Sequence, residues 1–144
     1  IAAKIKKYLQ NKDINSTTEL ANLIASVVRP GKNKHPATRS FQAIRIVIND
    51  ELKQLTSALE QSIDILAPKG RLCVISFHSI EDRIVKQFIR KHSRPKETPR
   101  GLPVISIDSD ECLLNDLGKL KPTKNEVEIN RRSRSAILRL AEKC

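Results

Sequence analysis

L-A-P-K-G-R-L-C-V-I-S-F-H-S-I-E-D-R-I-V-K, from Leu66 to Lys86, decides how this chain folds. Pro68 cannot continue a helix and Gly70 can take a positive φ, so a helix ends and the chain turns there. Leu72 to Phe77 is a short apolar run with β-branched Val74 and Ile75, the composition of a strand covered on both faces. Ser79 can then cap a new helix, with Glu81 and Asp82 near its positive end. The stretch is half of an α/β unit. It puts Ser76, His78 and Ser79 at the carboxyl end of a strand, where open α/β sheets bind their ligands.

Upstream, Ile1, Ile5 and Leu9 lie four apart on a short helix edged with Lys4, Lys6 and Lys7. Asn11 to Asn15 breaks it. Ser16-Thr17-Thr18-Glu19 has capping-box spacing and opens a second helix, expected to stop at Arg29-Pro30-Gly31. Gly31 to Ser40 is a basic loop with Lys32, Lys34, His35 and Arg39, either a phosphate contact or a solvated linker. Thr38 or Ser40 can cap the next helix. Phe41, Ile44, Ile48, Leu52, Leu55, Leu59, Ile63 and Leu66 then form one helical stripe. Asn49-Asp50-Glu51 leaves open whether this is one helix or two in series.

Downstream, a helix with a basic outer surface runs from the elbow to about His92. Ser93 to Pro103, with Pro95, Pro99 and Pro103, reads as an irregular loop. Val104 to Ile107 is a candidate short strand and Asp108 to Asp116 an acidic patch. Leu117 to Thr123 reads as another strand, Thr123 to Glu126 as a second capping box, and about Ser135 to Lys143 as a last strand.

At 144 residues, with 39% hydrophobic and 30% charged residues, the chain is long enough for one domain with a core. No apolar run reaches the ~18 residues of a membrane span, and the basic amphipathic start lacks the apolar block of a signal peptide. The chain contains no Met and opens inside a helical pattern, which suggests a piece of something larger. Cys73, Cys112 and Cys144 are odd in number and far apart, which argues against a disulfide framework or zinc site. Cys73 is expected to be a small buried hydrophobe, and a reducing cytoplasm fits best.

The net charge of +11 and isoelectric point near 9.9 point to a polyanionic partner. Aromatic residues are only 3%, too few for a run of base-stacking platforms. His78 stands near Ser79 and Asp82, but adjacency in sequence is not a catalytic triad, and no G-x-S-x-G is present. His35, His78 and His92 are isolated, so no metal is expected. No Walker loop and no G-x-G-x-x-G occurs. Arg131, Arg132, Arg134 and Arg139 read as a phosphate grip or as a charged strand edge.

Three blocks carry a more specific signal: H-P-A-T-R-S-F-Q-A-I-R-I-V-I-N-D-E-L (His35 to Leu52), the Leu66 to Lys86 stretch, and N-R-R-S-R-S-A-I-L-R-L-A-E-K (Asn130 to Lys143). In this order and spacing they resemble the MraW-type methyltransferases, over essentially the whole chain. The resemblance implies an α/β fold: the carboxyl half of a Rossmann-like class I methyltransferase sheet, preceded by part of a helical insertion domain. Residues 1–40 would belong to the insertion and 41–144 to the catalytic domain. Arg71–Phe77 would be its fifth strand, and the segments near Leu117–Thr123 and Ser135–Lys143 its last two, one of them antiparallel.

The implied reaction is methyl transfer from S-adenosyl-L-methionine to the N4 amine of a cytidine in 16S rRNA of the small ribosomal subunit. The implied setting is cytoplasmic, with no membrane and with a homodimer as one option. The family's glycine-containing cofactor loop, ribose-binding acid and D-x-G-x-S-x-Q segment have no counterpart in these residues. Its cofactor contacts therefore fall on none of them, and the chain alone should be inactive. Arg131 stands where the family often has proline, and Ile137 where it often has lysine. The substrate-side candidates are Lys32, Lys34, His35, Arg39, Arg132 and Arg134 for RNA, and Ser76, His78 and Ser79 for the cleft wall. No general base is assigned. The rival reading is a non-enzymatic basic RNA-binding or ribosome-associated module.

Overall fold

The computed structural model describes residues 1–29, 31, 35–94 and 112–144. Lys32, Lys34, the prolines at 95, 99 and 103, the strand expected over Val104–Ile107 and residues 108–111 of the acidic patch lie outside them. The chain divides into two compact units, Ile1–Glu51 and Leu52–Cys144.

The first unit holds α1 (Ala2–Leu9), α2 (Thr17–Ala25) and α3 (Thr38–Ile48). Ser16 caps α2 as its spacing requires: its Oγ accepts from Glu19 N at 3.1 Å. α2 ends at Ala25, short of Arg29. Glu19 ties the two helices together, because its carboxylate accepts from the Tyr8 hydroxyl, from Lys12 Nζ at 3.0 Å and from Asn15 N at 3.1 Å. These donors, the Tyr8 hydroxyl first, pull the Glu19 carboxyl down to about 2. The clasp stabilises the fold above pH 4.5, the ordinary value, and is lost as pH falls through about 2. Glu19→Gln is therefore expected to lower the melting temperature at pH 7 and to match the parent near pH 2, as followed by circular dichroism. α3 starts without a side-chain cap: neither Thr38 nor Ser40 serves, and Ala37 occupies the position.

The stripe from Phe41 to Leu66 is two helices, not one, since Asp50 takes a positive φ of 50° after α3 and α4 (Glu51–Ile65) begins at the next residue.

In the second unit α4 is followed by β1 (Arg71–Ser76), α5 (Ser79–His92), β2 (Leu114–Leu120), α6 (Lys124–Ile129), a 3-10 turn (Arg131–Ser135) and β3 (Ile137–Lys143). The strand order is β1-β3-β2, and β3 is antiparallel to both neighbours, so β1 and β2 run the same way. One sheet face packs on α4 and α5. Leu59, Val85, Phe88, Ile89, Leu114 and Ala141 form the buried cluster, with Leu55, Ile63, Leu72, Val74 and Ile84 against it.

The turn before β1 differs from expectation in an instructive way. Lys69, not Gly70, takes the left-handed conformation, with φ at 63°. Gly70 is needed for space, since a Cβ there would lie 2.7 Å from Ala67 O. The turn is pinned to the end of β3 by Lys69 N to Lys143 O and Lys143 N to Gly70 O, both 2.9 Å. Lys143 Nζ also donates to Ile63 O at 2.8 Å and Leu66 O at 2.7 Å, which satisfies carbonyls at the end of α4.

Three other expectations are corrected. β1 is covered on one face only among the described residues: Cys73 is exposed, as are Ile75 and Phe77, because both packed helices lie on the side of Leu72 and Val74. β2 begins at Leu114 and ends before Pro122, which has no N–H to donate, so the strand does not run to Thr123. Its register shifts between Asp116 and Gly118, where Gly118 takes φ 94°. β3 begins at Ile137, and the residues before it form the 3-10 turn.

Candidate functional site

β1 and α5 meet at an elbow, Ser76 to Ser79. Ser76 is the last residue of β1 and only 2% exposed; its Oγ is buried and has no hydrogen-bond partner among the described residues. His78, with extended backbone, caps α5, and Ser79 is the exposed first residue of the helix, so the expected Ser79 cap is replaced by an imidazole cap. Both side chains can accept a hydrogen bond. His78 wins because it stands three residues before Glu81, which closes the box: Nδ1 accepts from Glu81 N at 3.4 Å. The Glu81 carboxylate accepts in return from Phe77 N at 2.9 Å and His78 N at 3.2 Å. His78 Nε2 is buried and lies 3.0 Å from Glu81 Oε1, out of line for a hydrogen bond.

Glu81 thus satisfies two amides that the turn would otherwise leave open. Glu81→Ala is expected to destabilise the unit by about 1–2 kcal/mol, the range for losing a helix cap. Glu81→Gln, which still accepts, should lose less. Urea denaturation distinguishes the two.

At the next residue, Asp82 meets Arg139 of β3 in a two-point contact, Nε to Oδ1 at 2.7 Å and NH2 to Oδ2 at 3.2 Å. The Arg139 guanidinium holds the Asp82 carboxyl below the usual carboxylate range, against the partial burial that would raise it. Arg139 is therefore not part of a phosphate grip. It is buried and committed to Asp82. Sequence spacing pairs Asp82 with its helix start, and nothing local signals a partner 57 residues away.

Arg132 and Arg134 sit exposed on the 3-10 turn. The turn is rigidly held: Asn130 Oδ1 accepts from Arg132 N at 3.1 Å, and the buried Ser133 donates its hydroxyl to Asn130 O at 2.8 Å. Ser76 stands opposite Ile137 in the sheet register, so the elbow and this turn share one end of the sheet, the carboxyl end of β1 and β2. Lys121, which sequence reading placed inside a strand, joins them there just after β2. The structure brings together Ser76, His78, Ser79, Arg132 and Arg134 at that end. His35 and Arg39 belong to the first unit, where both are exposed and His35 Nδ1 accepts from Ala37 N at 3.2 Å.

An elbow and arginines at the carboxyl ends of same-direction strands fit a ligand-binding edge of an α/β sheet. The model of the MraW methylase family matches residues 1–144. The chain belongs to the MraW methylase family. It is similar to curated proteins named ribosomal RNA small subunit methyltransferase H: 61% identical to that of Vesicomyosocius okutanii over 99% of the chain and 47% of the relative. The match to Ruthia magnifica is 57% over the same shares, and that to Shewanella violacea 56% over 88% of the chain and 42% of the relative. This MraW family chain thus spans about half the length of the curated relatives it matches. Among its described residues no helix is long and apolar enough to cross a membrane.

Proposed function

We propose that this chain is the acceptor side of an S-adenosylmethionine-dependent methyltransferase that modifies the N4 amine of a cytidine in 16S rRNA. The observation that carries the reading is the family match along the whole chain, to relatives named for methylating small-subunit rRNA. The topology supports a Rossmann-like class I sheet, because one antiparallel strand lies between two that run together. The apolar face of Cys73, Ile75 and Phe77, and the edge of β1 that pairs with no strand among the described residues, would be closed by the region of the relatives' length that this chain does not match. Residues 1–40 are assigned to the helical insertion and 41–144 to the catalytic domain.

S-adenosylmethionine supplies the transferable methyl group when bound. The family resemblance puts its principal contacts outside these residues. The elbow has no glycine for close backbone approach, and its carboxylates, Glu81 and Asp82, are taken by backbone amides and by Arg139. What the chain contributes lies on the RNA side. Lys32, Lys34, His35, Arg39, Arg132 and Arg134 offer cations or donors to phosphate, and Ser76, His78 and Ser79 wall the cleft into which a base extruded from its stack would enter. The buried Ser76 hydroxyl, which has no partner among the described residues, suits an exocyclic amine or a base carbonyl better than an apolar wall would.

The test is to place the amino-terminal region of the Vesicomyosocius okutanii relative ahead of Ile1 and incubate the longer protein with small ribosomal subunits and labelled S-adenosylmethionine. Mass spectrometry of the digested 16S rRNA should locate one methyl on a cytidine N4. Methylation of another base type, or RNA binding with no transfer, would overturn the reading, and the second result would favour an RNA-binding module. The 144-residue chain alone should bind S-adenosylmethionine weakly or not at all in calorimetry.

A further inference from the structure

The same end of the sheet carries a feature that the elbow does not use. Between the end of β2, α6 and the start of β3 lies a cleft of about 310 Å³, lined by Lys121, Pro122, Val127, Arg134, Ala136 and Ile137. That is at the small end of the range for small-ligand sites. Its walls differ in chemistry: Lys121 and Arg134 bring two cations, and Pro122, Val127 and Ile137 bring apolar surface. Among the described residues neither Lys121 nor Arg134 enters an ion pair. Both are exposed and line the same cleft, so an anion seated there meets two cations of like sign. The cleft is also stiff. Thr123 caps α6 through Glu126 N at 3.2 Å, Asn130 and Ser133 hold the 3-10 turn, and Ala136 N donates to Ser133 O at 2.8 Å.

We propose that this cleft seats one nucleotide of an RNA strand, its phosphate between Lys121 and Arg134 and its sugar or base against Pro122 and Val127. A guanidinium gives phosphate two parallel hydrogen bonds, and a lysine adds a point charge. A bare inorganic anion would leave the apolar walls unused, so a nucleoside 5′-monophosphate is the minimal ligand. Ile137 lines the cleft and stands opposite Ser76 in the sheet. A nucleotide seated here therefore flanks the one presented at the elbow and sets the register of the strand. The inference rests on the RNA-methylating reading and deepens it.

The test uses the 144-residue chain, a short fluorescent single-stranded RNA, cytidine 5′-monophosphate and inorganic phosphate. Lys121→Ala and Arg134→Ala are each expected to weaken RNA binding about tenfold, the scale of one charge-assisted hydrogen bond. Each should lower the salt slope of log K by roughly 0.7. Arg134→Lys should keep the charge contribution and lose the two-point contact. Lys4→Ala, on the exposed face of α1, controls for net charge and should change affinity little. In the parent, cytidine monophosphate should shift the amide signals of Val127, Ala136 and Ile137 more than inorganic phosphate does, and the shifts should vanish in both alanine variants.

If the parent binds RNA and the two alanine variants bind it equally well with unchanged slope, the seat is wrong and the RNA reading stands. If the mononucleotide shifts those signals while RNA affinity ignores the substitutions, the cleft holds a free nucleotide and the proposal fails. If the parent shows no salt-dependent RNA binding, the seat is wrong, and the methylating reading is decided by the longer protein with small ribosomal subunits. Both residues are exposed, so folding should survive. Should Arg134→Ala nevertheless melt early, Lys121→Ala and Arg134→Lys carry the test.

Discussion

Arg139→Met is expected to destabilise the unit Leu52–Cys144 by about 2–3 kcal/mol, at or just below the lower bound of the range for breaking a fully buried ion pair from one side. The substitution leaves the Asp82 carboxylate, whose side chain is only 18% exposed, facing an apolar chain in place of two N–H donors. Water reaches it in part, which is why the upper end is not expected. For a unit of this size the loss corresponds to a fall in melting temperature of roughly 10–20 °C. Asp82→Asn should cost less than Arg139→Met, because an amide oxygen still accepts from the guanidinium. The double change Asp82→Leu with Arg139→Met should recover part of the loss, since no charge is then stranded.

The pair also predicts a pH dependence. The folded Asp82 carboxyl lies below its ordinary value of 3.8, so the unfolded chain takes up a proton first as pH falls. The contribution of the pair is therefore complete above about pH 4 and is lost as pH drops through the depressed folded value. The stability gap between the parent and Arg139→Met should be wide at pH 7 and narrower at pH 3, in urea denaturation followed by the signals of β3.

Phe88→Ala is expected to cost about 3–5 kcal/mol, the range for deleting a buried aromatic ring. Phe88 is 6% exposed, belongs to the cluster that joins α4, α5 and the sheet, and meets the His92 ring at a tilt, with centroids 4.7 Å apart. Phe77 is the natural control. It is 56% exposed at the end of β1, so Phe77→Ala should change the stability of the 144-residue chain by less than about 0.5 kcal/mol. Equal losses at the two positions would mean that the core is not where the packing of α5 puts it. Denaturation curves of both variants decide this.

How far the sequence discloses all this depends on the range of the interaction. The elbow was legible because Pro68, the β-branched run and the acids at 81 and 82 act within a few residues of one another. The caps at Ser16 and Thr123 were legible for the same reason. The cap of α5 went to His78 because two adjacent acceptors competed and only the Glu81 box separates them. Lys69, not Gly70, takes the positive φ, and the glycine at 70 answers instead to the close approach of Ala67 O. Arg139 looked like a surface cation. Its partner is set by the β1–β3 register, which no local pattern encodes. β2 was shifted because Leu114, the residue that anchors it in the core, stands beside polar Asn115 and Asp116 and reads as part of an acidic patch. The family resemblance supplied the setting of the elbow, which composition and spacing alone left open.

The proposal stands on β1 being an interior strand of a sheet larger than the three strands described. Cys73 reports on this directly, because it lies exposed on the uncovered face. Labelling with N-ethylmaleimide, read by mass spectrometry at each cysteine, should modify Cys73 rapidly in the 144-residue chain. In the longer protein carrying the amino-terminal region of the Vesicomyosocius okutanii relative, Cys73 should be protected by at least tenfold. A Cys73 that reacts equally fast in both would contradict the account.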